Sequence, residues 1–281
     1  MALTGLFLCT FLIGHLLGNL QLIMITGEEG RLAFNEYAYF MTHNPFIKAL
    51  SWVTYISILF HAVDGFLLTY QNKKARPVNY AYNKPSANSK LPSRYMAIMG
   101  TVILVFICTH MANFWWKMKF SSEPFPIHKQ YLTDPGSGQE QAFLITKSGQ
   151  FLPASSIEVG PSGEAEMEIK NGTELYNKAL NVKVAEGYKD LHSLVFAFFG
   201  HDKTKDAGIP ANEYALIAVI AYVLSMLVLG FHLFHGFASA FQSLGANHRR
   251  YNPIIKGVGM AFSVLVPIGF AIIPVLIYMW K

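Results

Sequence analysis

Ten histidines are spread along the 281-residue chain, and they fall into two groups. His43, His128, His192, His201 and His248 lie in polar sequence, whereas His15, His61, His110, His232 and His235 lie within long apolar runs. A polar ring surrounded by hydrocarbon is costly, so an intramembrane histidine is a candidate for function. Neutral imidazole is also a common metal ligand and an axial ligand of heme iron. Four apolar runs carry at least one such histidine each, and a fifth carries none.

Other chemistry fits the residues less well. There is no HExxH zinc signature. The two cysteines, Cys9 and Cys108, both fall in apolar runs, and there is no CxxC or CxxCH. The chain therefore cannot hold an iron–sulfur cluster by itself and has no c-type heme attachment motif. Asp64, one turn after His61, is the carboxylate furthest inside a run, suited either to proton relay or to a structural hydrogen bond.

The elements that must position these histidines are legible from composition. Only 14% of residues are charged, against about 25% in soluble domains. The apolar excess gathers into runs near residues 3–25, 46–70, 94–116, 214–244 and 254–280, each long enough for a helix to cross a bilayer. The first is read as a retained span rather than a signal peptide. The predicted class is an all-α membrane protein, a five-helix bundle in one membrane domain over 1–281. The net charge of +5 reflects cations grouped in loops, which speaks for topology rather than nucleic-acid binding. Lys73, Lys74, Arg76, Lys84 and Lys90 between spans two and three, and Arg249 and Arg250 between spans four and five, put those loops and the N-terminus in the cytoplasm.

The polar stretch 120–211 then lies outside. Lys147-Ser148-Gly149 and Asn171-Gly172, flanked by alternating apolar residues, suggest two β-hairpins. Tyr188 to Phe199 reads as an amphipathic helix lying on the membrane surface, and the alternative for the whole stretch is a disordered loop.

Span direction sorts the histidines by depth. His15 is at or just past the middle of its span, and His61, His110 and His232 lie in the C-terminal halves of theirs. Adjacent spans run antiparallel, so His15 and His110 sit toward the outside, and His61 and His232 toward the cytoplasm. Two pairs at two depths suit two hemes with two axial histidines each. Gly14 and Gly18 flank His15, while Gly65 and Gly236 follow His61 and His232 at i+4, on the same helix face. His235 is the alternative to His232, which is preferred for its HxxxG context.

The segments GHLLGN, FHAVDGFLLTY, THMANFWW and FHLFHGFASAFQSLG, with FQSLGANHRRYNP leading into the last span, resemble the cytochrome b subunit of succinate:quinone oxidoreductases. The closest likeness is to the five-helix, two-heme type of Bacteroidetes-like bacteria. The resemblance implies a membrane anchor for a flavoprotein and an iron–sulfur subunit in the bacterial cytoplasmic membrane. It implies two heme b groups and electron exchange with a quinone, usually menaquinone. His61 and His232 would ligate the proximal heme iron, and His15 and His110 the distal one. The family also has an acidic residue near the outer quinone site, for which Glu36 is the candidate and Glu29 a weaker one. The 120–211 stretch is much longer than the family's usual connection. Competing classes are a di-heme anchor of another respiratory oxidoreductase and a heme-free transporter whose histidines relay protons.

Overall fold

A computed structural model describes residues 1–78, 81–82, 84–120, 125–157, 165–201 and 208–280. The chain is mostly helical, and five helices are long and apolar enough to cross a membrane. They are α1 (Ala2–Met24), α3 (Pro45–Lys74), α4 (Met96–Phe120), α6 (Ala215–Ser243) and α7 (Asn252–Met279). Among the described residues, α2 (Gly27–His43) and α5 (Leu191–Phe198) are too polar or too short to do so, and two four-residue helices, Pro85–Asn88 and Leu91–Arg94, lie between α3 and α4.

Local chemistry explains several boundaries. Asn44 caps α3 by accepting hydrogen bonds from the backbone N–H groups of Phe46 (2.9 Å) and Ile47 (3.3 Å). Pro45 takes the first helical position, where its missing N–H costs nothing. Lys73 and Lys74 end the helix, where cations suit the negative end of the dipole. The α7 helix continues through both Pro267 and Pro274. Within α4, residues Ala112–Trp116 form a π-helical turn two residues after His110.

Between spans one and two, where the sequence shows no long apolar run, the chain forms a further helix. In α2, Glu28 and Glu29 stand in the first turn and His43 in the last, matching the dipole at each end. Phe34 and Ala38, four residues apart, are buried on one face. The face is short and interrupted by polar residues, so no long apolar run announces it.

The chain divides into two compact units. The first comprises Met1–Leu20, Asn44–His110 and Ile217–Leu276, which is the helical bundle. Its core gathers Cys9, Met226, Leu229 and Leu233, with Leu12 and Phe262 packed against them. Small residues permit close helix contact: a Cβ added at Gly230 would stand 3.0 Å from the Ser263 carbonyl oxygen. Outward-facing apolar side chains have no protein cover. Phe46 is 82% exposed and Leu265 67%, and none of the most apolar stretch of α4 is buried. That is how a bundle looks when lipid solvates its outer surface.

The second unit comprises Gln21–His43, Met111–Leu216 and Ile277–Lys281. It contains two three-stranded antiparallel sheets, β1 (Lys129–Thr133), β2 (Glu140–Ile145), β3 (Phe151–Pro153) and β4 (Met167–Lys170), β5 (Glu174–Asn177), β6 (Val182–Glu186). The turn at 147–149 joins β2 to β3, and Asn171 and Gly172, at φ 52° and 80°, turn β4 into β5. Positive φ at both central residues gives the twist that tight hairpins need. Each hairpin has a third strand, so all-α is too narrow a label for the whole chain. Leu144 and Leu175, both fully buried, join Ile127 in a small core.

The α5 helix differs from the surface helix expected over Tyr188–Phe199. It spans only Leu191–Phe198, and His192, Ser193, Leu194, Val195 and Ala197 are all buried by the protein. The buried Asp190 caps it, accepting from the Ser193 N–H at 3.1 Å. Its apolar surface is therefore used within the unit.

Candidate functional site

Four intramembrane histidines meet as two pairs inside the helical bundle. The rings of His15 on α1 and His110 on α4 have centroids 5.9 Å apart and stand nearly perpendicular. Those of His61 on α3 and His232 on α6 are 6.2 Å apart at 69°. His235, three residues on, joins neither pair, though it lies within electrostatic range of His232.

The surroundings of each ring are specific. Phe11 stacks on His15 at 5.3 Å and Phe270 leans against it at 5.6 Å. Asn19 donates to the His15 carbonyl oxygen at 2.8 Å, and the same amide nitrogen lies 3.4 Å from His15 Nδ1. His110 packs against Phe106 and Tyr222, and the Tyr222 hydroxyl lies 3.4 Å from its Nδ1. Thr4 Oγ1 is 3.3 Å from His61 Nδ1. His232 Nδ1 is buried without a hydrogen-bond partner.

Glycines do make room for His61 and His232, but Gly14, Gly65 and Gly236 are not the ones that do. A Cβ at Gly14 would meet nothing, and those at Gly65 and Gly236 would touch only the ends of Met1 and Met96. The glycines against the rings are Gly5, whose Cβ would stand 3.2 Å from His61 Cε1, and Gly100, 3.6 Å from His232 Cε1. Each lies on a neighbouring helix, far away in sequence, so periodicity around the histidine carries no sign of it. Asp64 is held by an ion pair with the chain's amino terminus at 2.7 Å.

No family model matches this chain, and neither the curated proteins nor the solved structures compared with it yield a match. The chemistry of the site therefore rests on its geometry. Two imidazoles bound to one metal from opposite sides, each about 2 Å from it, have ring centroids about 6.3 Å apart. Both observed separations fall close to that value. Among the described residues no group of three or more histidine, cysteine or carboxylate side chains is placed to hold a metal ion.

Glu36 belongs to the other unit. It stands exposed on α2 and its carboxylate hydrogen-bonds the Tyr188 side chain. Burial, together with Glu36, pushes the Tyr188 phenol up to about 12. Glu29 is exposed on the first turn of the same helix.

The second unit also holds a buried polar cluster that sequence reading passed over. Asp190 is fully buried and receives Arg31 Nη2 at 2.5 Å and Asn35 Nδ2 at 2.9 Å. Burial alone would raise its pKa, but the Arg31 charge and the hydrogen bonds of Arg31, Asn35 and Ser193 hold it down at about 2. Asn35 also donates to His128 Nδ1 at 2.9 Å, which leaves the His128 proton on Nε2, 2.9 Å from a Glu28 oxygen. His192 stacks on Phe196 at 4.0 Å, and burial pushes its pKa down to about 4. The Asp–Ser spacing before an apolar run hints at the Asp190 cap, but the partners on α2 lie more than 150 positions away.

Proposed function

We propose that the chain is a di-heme cytochrome b anchor of a succinate dehydrogenase or fumarate reductase. It would pass electrons between an iron–sulfur subunit, itself bound to a flavoprotein subunit, and a membrane quinone such as menaquinone. The observation that carries the reading is the pairing of four intramembrane histidines, His15 with His110 and His61 with His232, at separations suited to two axial ligands of one iron. The motif resemblance assigns the same partners. The proposed setting is a bacterial cytoplasmic membrane, with the N-terminus and the cationic short loops on the cytoplasmic side.

Heme b, when bound, supplies a one-electron carrier between partners that each exchange two electrons. The protein's own contribution is to hold and insulate. His61 and His232 would hold the proximal group, and His15 and His110 the distal one. Held by two imidazoles each, such groups would be suited to electron transfer. The rings of Phe11, Phe106 and Phe270 keep water from the His15–His110 pair. Quinone reduction consumes protons, and Glu36 is the acidic residue proposed to relay them.

Heme quantified per polypeptide by the pyridine hemochrome spectrum, on the chain purified with its native partners, tests this directly. Two b-type hemes are expected. His15→Ala and His110→Ala should each remove one of them, and His61→Ala and His232→Ala the other, while His235→Ala keeps both. Loss on His235→Ala with retention on His232→Ala would exchange the fourth ligand. A heme-free preparation would sink the electron-transfer reading and favour a proton-coupled transporter. Two hemes co-purifying with a hydrogenase or formate dehydrogenase module would move the anchor to another respiratory complex.

A further inference from the structure

The first turn of α1 meets His61 through the Met1 backbone and through two adjacent residues, Thr4 and Gly5. Thr4 Oγ1 lies 3.3 Å from His61 Nδ1, and the same hydroxyl donates its proton to the Met1 carbonyl oxygen at 2.9 Å. A hydroxyl has one proton to give. Only its lone pairs remain for His61, so the proton in that contact belongs to the imidazole. His61 is thereby the tautomer protonated on Nδ1, with the lone pair on Nε2. Gly5 supports the same ring: a Cβ there would crowd Cε1, the carbon between the two nitrogens, at 3.2 Å. His232 has no comparable hydroxyl, since its Nδ1 is buried without a partner.

We propose that Thr4 is a positioning residue for His61, fixing its tautomer and raising its basicity toward the iron it shares with His232. This rests on the di-heme reading. An Nδ1–H bonded to an acceptor makes the opposite nitrogen a stronger donor. A stronger donor favours the oxidised iron and lowers the potential of that heme relative to the same site without the hydroxyl.

The test is a spectroscopic redox titration of both hemes in native membranes carrying the whole complex, with Thr4→Val and Thr4→Ser variants. Thr4→Val keeps the shape and removes the hydroxyl acceptor, while the Met1 backbone that also hydrogen-bonds His61 stays in place. It should retain both hemes and raise one midpoint potential, by on the order of tenfold in the oxidised-to-reduced ratio, or about 59 mV for one electron. The other potential should stay put, and Thr4→Ser should match the unsubstituted protein. Loss of one heme from Thr4→Val but not from Thr4→Ser would support the same role more strongly. Two hemes with both potentials unmoved in Thr4→Val would overturn the proposal and leave the di-heme reading intact. So would a Thr4→Ser variant that shifts, or loses heme, as far as Thr4→Val. An unsubstituted complex without heme would overturn both.

Discussion

His192 illustrates how burial can dominate a charge state. It is enclosed by its own helix and α2, stacked on Phe196, and its pKa drops to about 4 because the charged form loses its water. In the unfolded chain the ring titrates near 6.5. Above that pH neither state is protonated and the contribution to stability is whole. As pH falls from 6.5 toward 4, the unfolded chain binds the proton first, and stability drops by about 3 kcal/mol over the window. Hydrogen exchange of the α5 amides between pH 7 and 5 should show faster opening at the lower pH. His192→Phe should flatten that dependence, and an unaltered slope would assign it to another group. At this scale the sequence was informative where residue type and surroundings conflict, as with the four paired histidines. It was silent about Thr4, Gly5 and Gly100, whose types are ordinary for their helices.

Between elements, the limiting contacts are those where backbone meets backbone. Gly230 on α6 faces the Ser263 carbonyl on α7, and a side chain there would stand 3.0 Å from an oxygen that cannot rotate away. Gly230→Leu should therefore force the two helices apart, at a cost of about 1–3 kcal/mol. Gly257→Leu is the control, because a Cβ at Gly257 meets nothing within 4 Å. Thermal unfolding in detergent should separate them, with a lowered midpoint only for Gly230→Leu. An equal lowering would mean that the approach of Gly230 to Ser263 is not what limits the packing, since Leu is the better helix former at both positions. Close approach by small residues is a common way for membrane helices to pack, since lipid offers no hydrophobic drive between them. The five spans were legible as apolar runs, with Asn44-Pro45 marking the start of α3 directly. The α2 helix was not, because its amphipathic face becomes apparent only beside the residues that cover it.

The whole chain exposes apolar surface that water would not tolerate. Trp52 and Ile217 are each about two-thirds exposed on helices of the bundle. Orientation is the property that charge in the short loops bears on. With Cys9 and Cys108 replaced by serine, Ser137→Cys in the stretch before β2 should react with a membrane-impermeant thiol reagent in intact cells. Ser86→Cys, in the cationic loop, should react only after permeabilisation. The reverse pattern would invert the assigned topology, and reaction of both in intact cells would deny that the chain spans as read.

Composition and spacing by themselves determined the membrane class, the five spans, and which histidines had to be accounted for. They did so because hydrocarbon penalises a polar group wherever it sits in the chain, and that penalty is readable one residue at a time. Which ring faces which, that Thr4 meets His61, and how Asp190 finds Arg31 were decided only by the tertiary structure. Those contacts join positions tens to more than a hundred residues apart, and no local pattern encodes a partner that packing alone brings near.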